Sequence, residues 1–364
     1  MKIVILGLSI TSSWGNGHAT TYRSLSKGLH KRGHEVVFME RDVYWYASNR
    51  DMPDPEFCRI VLYNSVEQLK QHIYEIQSAD CVILGSYVPD GIEIGELIIA
   101  NASGTKAFYD IDTPVTLAAL AGGKCSYISP SLIPKFDIYL SFSGGPCLEI
   151  FEKKYGSPAS RQLFCSVDPE LYFPAYSEKK WDLGYLGTYS DDRQPVLNEL
   201  LVEPARKWPR GNFIVAGPQY PVSLTWPENV KRIEHLPPAL HNDFYNAQRF
   251  TLNVTRSDMV RMGYSPSVRL FEAAACAIPV ISDWWEGIDT IFKPDSEIFI
   301  SKSNEDTLRI LVKTSENQRT RAGENARQVV LENHTGEQRA SELEDYISES
   351  IQRRKRIAHV NAPV

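Results

Sequence analysis

The first forty residues constrain this chain most. Lys2-Ile-Val-Ile-Leu-Gly7 is an unbroken aliphatic run, the pattern of a strand covered on both faces in a parallel sheet. A loop of small and polar residues follows, from Ser9 to His18. The spacing then predicts a helix from about Thr20 to Lys31, with Leu25, Gly28 and Leu29 on one stripe and Gly33 as its stop. Glu35-Val-Val-Phe-Met39 supplies the next strand. This β-loop-α-β unit, repeated, predicts an α/β sandwich.

The repetition is visible. Further strands are expected at Cys81–Leu84, Lys106–Tyr109 and Asp137–Leu140, each ending in small or polar residues. The stretch from Cys165 to Ser177 carries two prolines and no periodicity, and is expected to link two domains. A second series begins after it, with strands at Leu183–Leu186, Asn212–Ala216, Phe250–Val254 and Pro279–Ser282. A length of 364 residues suits two domains. We therefore expect α/β architecture with two Rossmann-like domains, residues 1–172 and 173–340, facing across a cleft at the carboxyl ends of their strands. The helical tail, about 341–364, can pack back on the first domain.

Composition excludes several classes. With 43% hydrophobic and 23% charged residues the chain is neither disordered nor fibrous. A net charge of −6 argues against a duplex-wrapping nucleic-acid binder. The six cysteines stand singly, without a C-x-x-C pair, so neither a zinc site nor a disulfide scaffold is expected. No stretch reaches the ~20 apolar residues of a membrane span, and the amino terminus lacks a signal-peptide core. The expectation is a cytoplasmic protein with reduced thiols. The basic run Arg353-Arg354-Lys355-Arg356 is too short to imply membrane attachment on its own.

The most informative stretch runs from Gly263 to Asp283. Ser265-Pro266 reads as a helix start, and the helix must end before Pro279. Its amino end, with free amides and the positive end of the helix dipole, suits a diphosphate. Arg269 and Glu272 lie three apart on one face, where the cation can neutralise phosphate and the carboxylate can accept bonds from ribose hydroxyls. The alternative is a solvated side-chain pair.

Arg269-Leu-Phe-Glu-Ala-Ala-Ala-Cys-Ala-Ile-Pro-Val-Ile-Ser-Asp283, followed by Trp284-Trp285-Glu286-Gly287-Ile288, resembles the donor-site signature of group-one glycosyltransferases, in particular the CgeB-like family named after a spore-maturation protein. Gly184–Ser190 with Arg193, Phe213–Pro218, Leu252–Arg256, Tyr109–Leu117 and Val167–Pro174 resemble segments of that family in the same order. The resemblance implies the GT-B fold and a metal-independent hexosyltransferase. Its donor would be a UDP-, GDP- or dTDP-linked sugar, with no further cofactor, and its acceptor a glycan, small molecule or protein. It implies donor contacts at Gly187, Thr188, Tyr189, Arg193, Gly217, His235, Leu236, Ser267, Val268, Arg269 and Glu272, and sugar contacts at Asp283 and Glu286. The sequence departs from the family at Tyr264, where many members carry a first glutamate. A phenol is no anion at neutral pH, so retention, the expected stereochemistry, is left open against inversion.

His18, in the loop after the first strand, is a candidate acceptor base or phosphate contact; alternatively it caps the following helix. Asp110 and Asp112 stand at a strand's carboxyl edge, where one can deprotonate an acceptor or either can form a turn or cap. Gly187 to Tyr189 can equally form an ordinary turn, and Trp284 and Trp285 can pack beneath their loop. Glu40 ends the second strand where a dinucleotide-binding acid would stand, yet the preceding loop lacks G-x-G-x-x-G. An epimerase or hydrolase acting on sugar nucleotides, and a non-catalytic surface or spore-layer protein, are the rival readings.

Overall fold

The computed structural model describes residues 1–360. The chain forms two compact units, one of residues 1–166 with the segment from Thr335 onward, the other of Val167–His334. The first holds seven strands: β1 (Lys2–Gly7), β2 (Glu35–Arg41), β3 (Arg59–Tyr63), β4 (Cys81–Gly85), β5 (Thr105–Asp110), β6 (Ile138–Ser141) and β7 (Ser160–Gln162). They order as β3-β2-β1-β4-β5-β6-β7, all parallel. Ile5 of β1 lies between Phe38 and Ile83. Residues Ile3 to Leu6 are wholly buried, which is why β1 reads as a continuous apolar run rather than an alternating one.

One face of this sheet is covered by the helix His18–Lys31 and by the C-terminal helix Gly336–Val360, whose Ala340, Leu343 and Ile347 join the cluster containing Ile3, Ile5, Tyr22 and Leu25. Burying each large aliphatic side chain contributes roughly 1.5–3 kcal/mol. The two helices meet backbone to backbone. A Cβ on Gly28 would stand 2.2 Å from the Gly336 carbonyl oxygen, and one on Gly336 2.0 Å from that of Ser24. Further along, Arg354 donates to the Gly104 carbonyl (2.9 Å) and Thr105 Oγ1 (3.1 Å), and Arg353 to the Asp137 carbonyl. The basic run thus clamps the amino ends of β5 and β6.

The second unit holds β8 (Trp181–Leu186), β9 (Phe213–Ala216), β10 (Val230–Ile233), β11 (Gln248–Asn253), β12 (Val280–Ser282) and β13 (Phe299–Ile300), ordered β10-β9-β8-β11-β12-β13 and again all parallel. Leu183 lies between Phe213 and Phe250 in its core.

Two expectations shift. The unit boundary falls at 166/167 rather than 172/173, because Tyr172 is buried beside Tyr245 and the Phe173 and Ala175 amides donate to Asn242 and Asn246 of the second unit. The chain returns at 334/335 rather than after 340. Four short strands, β3, β7, β10 and β13, were not anticipated; all lie at or next to a sheet edge, where half-exposed residues blur the pattern. In each sheet the strand order reverses beside the unit's first strand, between β1 and β4 and between β8 and β11. Ligands of open α/β sheets bind outside the carboxyl ends at such points. Among the described residues no helix is long and apolar enough to cross a membrane.

Candidate functional site

In the second unit the loops after β8 and β11 and the helix Val268–Ala275 meet at the switch point. The helix starts at Val268, not at Ser265-Pro266; Ser267 is its extended cap residue, and its hydroxyl donates to Asn253 Oδ1 (2.8 Å) instead of capping the first turn. Arg269 donates from Nε to the Leu186 carbonyl (2.5 Å) and from Nη1 to Asn253 Oδ1 (3.0 Å), with its guanidinium over the Tyr185 ring. It is therefore tied to the ends of β8 and β11, not paired with Glu272.

Gly187 and Gly217 make room for this arrangement. A Cβ at Gly187 would sit 2.6 Å from the Tyr185 hydroxyl and 2.9 Å from Arg269 Nη2. Gly217, at φ 142°, would press one to 2.0 Å from the Gly187 carbonyl. The Tyr189 amide donates to the Pro218 carbonyl, which locks the two loops together. Arg193 donates from Nη2 to the Thr188 carbonyl (2.8 Å), while its buried Nε has no hydrogen-bond partner among the described residues. Burial first, then the charges of Arg269 and Arg256, push this guanidinium below its ordinary pKa. Arg232 completes the wall, stacked over Tyr220 and Trp226 and donating to the Val215 and Gly217 carbonyls.

Glu272 is buried and accepts from the Tyr245 hydroxyl (2.9 Å), with the Tyr172 hydroxyl near it. Tyr172 in turn reaches His241 Nδ1 (3.4 Å), whose Nε2 lies 3.2 Å from the Leu236 carbonyl oxygen. A line of polar contacts thus joins Leu236 to Glu272. His235 is exposed beside it.

Asp283 is bonded within its own unit. It is buried, and its carboxylate takes the Thr255 amide and hydroxyl and the Ser282 hydroxyl. Burial raises its pKa. Occupied in this way, it anchors the loop after β11. Glu286 is exposed; its carbonyl accepts from the Tyr264 amide (2.6 Å). Tyr264, in the left-handed region at φ 48°, lays its ring against Gly287. Trp285 is buried and Trp284 exposed.

In the first unit the loops after β1 and β4 flank the other switch point. His18 is the first residue of its helix, with its amide donating to Asn16 Oδ1 (3.1 Å) and no side-chain cap bond. Its Nδ1 is enclosed without a hydrogen-bond partner among the described residues, and burial pulls its pKa down to about 4. The ring meets Tyr87 edge-on at 5.4 Å. Tyr87, held at φ 62°, donates to Asp112 Oδ2 (2.9 Å). The sequence reading missed Tyr87; its place just after Gly85-Ser86 at a strand end was the available signal.

Asp110 lies deeper than Asp112. It is fully buried, accepting from the Tyr139 hydroxyl (2.7 Å), the Thr116 hydroxyl (2.7 Å) and the Asp112 amide (3.2 Å). Burial lifts its pKa to about 6 against these bonds. It is an internal anchor for Asp112. Among the described residues no group of three or more His, Cys, Asp or Glu side chains could hold a metal ion. All six cysteines are free thiols.

Comparison with known proteins matches this fold. Residues 193–345 match the family model described as glycosyl transferase-like. Among solved structures the chain is similar to an alpha-glucosyltransferase in complex with UDP, at 14% identity over 96% of this chain and 100% of that one, with a TM-score of 0.72. It is similar to HepE of Anabaena in complex with UDP and glucose, at 12% identity over 96% and 100% of the chains and a TM-score of 0.70. Sucrose-phosphate synthase from Thermosynechococcus elongatus matches at 14% identity over 97% and 100% of the chains, with a TM-score of 0.67. A search of curated protein sequences finds no match. The chain therefore has the two-domain GT-B fold of these transferases, with a glycosyl transferase-like region over 193–345.

Proposed function

We propose that this protein is a CgeB-like hexosyltransferase of the cytoplasm, moving a sugar from a nucleoside-diphosphate sugar to an acceptor hydroxyl without a metal and with retention of configuration. The observation that carries the reading is Arg193: an enclosed guanidinium with an unpartnered Nε, beside Arg269 and Arg256, at the switch point of the second sheet. Clustered cations of this kind are stabilised by an anion, and a diphosphate supplies one. The amides opening the 268–275 helix add donors for the same group. Glu272, oriented by Tyr172 and Tyr245, would accept the ribose hydroxyls, with Leu236 bordering the base through its backbone. UDP in the solved relatives favours a UDP-linked donor.

The reaction breaks the bond between the anomeric carbon and diphosphate oxygen, and forms one to the acceptor oxygen. Charge grows on the diphosphate, where Arg193 and Arg269 oppose it. His18, with a pKa near 4, is a poor base at neutral pH, and the Asp110 carboxylate is enclosed by the Tyr139 and Thr116 hydroxyls. This favours passage of the acceptor proton to the departing phosphate, the retaining route.

Calorimetry with UDP, GDP and dTDP tests the donor assignment. Nucleotide affinity unchanged in both Arg269→Ala and Glu272→Ala overturns it. Product anomer analysis by NMR, with turnover followed in EDTA, tests retention and metal independence.

A further inference from the structure

The first unit presents three large aromatic side chains to solvent on two hydrogen-bonded segments. Trp14 is 52% exposed, Tyr44 84% and Trp45 52%. Trp14 lies in the loop after β1 that ends at His18, and Tyr44 and Trp45 in the segment after β2, so all three sit at the carboxyl edge of neighbouring strands. The segments are laced together. The Trp14 amide donates to Ser12 Oγ (3.3 Å), Ser12 Oγ to the Asn49 carbonyl (2.8 Å), and Asn49 Nδ2 to the Trp45 carbonyl (2.8 Å). Beneath them, Glu40 accepts from the Ile10 and Thr11 amides at 2.8 and 3.0 Å. Exposed aromatics held in place by a polar framework are a binding surface rather than a misplaced core.

Charge selects the ligand. Segments 9–18 and 42–54 contain one arginine, Arg50, against Asp42, Asp51 and Asp54. Arg50 is paired with Asp42, and the adjacent Arg23 forms a two-pronged pair with Asp51. With both of these guanidiniums paired and a balance of three carboxylates against two cations, the platform offers no cation to hold a phosphate backbone or anionic lipid. A pyranose instead offers an apolar C–H face to an indole and hydroxyls to a polar rim such as Ser48 and Asn49, both exposed.

We propose that Trp14, Tyr44 and Trp45 form the acceptor platform of this protein and that the acceptor is a neutral glycan. This rests on the transferase reading above. It separates the protein from the solved alpha-glucosyltransferase in complex with DNA.

The test uses the full chain, as wild type, Tyr44→Ala and Trp14→Ala/Trp45→Ala. Saturation-transfer NMR is run with neutral trisaccharides of glucose, mannose, galactose and xylose, and UDP affinity is measured in parallel by calorimetry. We expect at least one trisaccharide to bind wild type through its ring C–H protons. The double variant should bind it about tenfold more weakly, the loss of roughly one aromatic contact, with UDP affinity and melting temperature unchanged. Failure of every trisaccharide to bind wild type, or equal binding by the double variant, overturns the proposal. So does a double variant that instead loses sedimentation with phosphatidylglycerol vesicles or a dimer mass in light scattering. Absence of UDP binding in all three proteins sinks the transferase reading while leaving the trisaccharide result readable on its own.

Discussion

The carboxyl edge of the first sheet gathers phenols, hydroxyls and carboxylates around Asp110, whereas that of the second gathers guanidiniums over aromatic rings around Arg269. Both sheets share one strand logic and place their side chains at equivalent reversals of strand order. The topology therefore fixes where chemistry happens, and the residues set there fix its sign. In the first unit a carboxylate is enclosed until its pKa rises. In the second, cations are crowded until a guanidinium's falls. Both edges work against the charged state they hold, and at the first internal hydroxyls hold that opposition in check.

The largest expected effect tests the cationic side. Arg269→Ala should weaken nucleotide binding by about 3 kcal/mol, on the order of a hundredfold in Kd, since it removes one cation and frees Asn253 to move. Isothermal calorimetry reads this. On the other side, Asp110→Ala should cost about 2 kcal/mol of stability by orphaning the buried Tyr139 and Thr116 hydroxyls, without touching nucleotide affinity. Denaturant unfolding checks it; equal losses in both variants would erase the contrast.

Titration sharpens the comparison. Asp110 has a folded pKa of about 6, above its unfolded value of 3.8, so the folded state holds its proton more tightly. Stability from this group is fully present below the unfolded value and is lost as pH rises through about 6. His18 runs the other way. Its folded pKa of about 4 lies below the ordinary 6.5, so stability is lost as pH falls from 6.5 towards 4. Asp110→Asn should flatten the first trend and His18→Gln the second, in melting curves recorded across that window. The smallest effect is expected from Tyr87→Phe, about 1 kcal/mol for one lost hydrogen bond to Asp112. It should appear as a changed pH profile of turnover with nucleotide affinity intact.

Much of the fold was legible because parallel strands buried on both faces leave unmistakable apolar runs; β1, β2 and β4 are such runs. Edge strands such as Arg59–Tyr63 alternate exposure and escaped notice. The same split holds for the site. Arg193 and Arg269 were legible as cations near the end of β8, but not the carbonyls of Thr188 and Leu186 to which they donate. Asp110 and Asp283 carried the same local signature of an acid at a strand end. Only three-dimensional enclosure by Tyr139 or Thr255, distant in sequence, shows that they are occupied internally. Tyr172 and Tyr245, which hold Glu272, were invisible for that reason too.

The return of the last helix to the first unit makes 167–334 an insertion within the other unit's sequence. During synthesis the second unit can complete itself from contiguous chain, while the amino-terminal sheet emerges first yet waits for Ala340, Leu343 and Ile347 to cover its face. The earliest residues made are among the last to be sealed, and a prematurely stopped chain would leave that apolar face bare for chaperones or proteases to find.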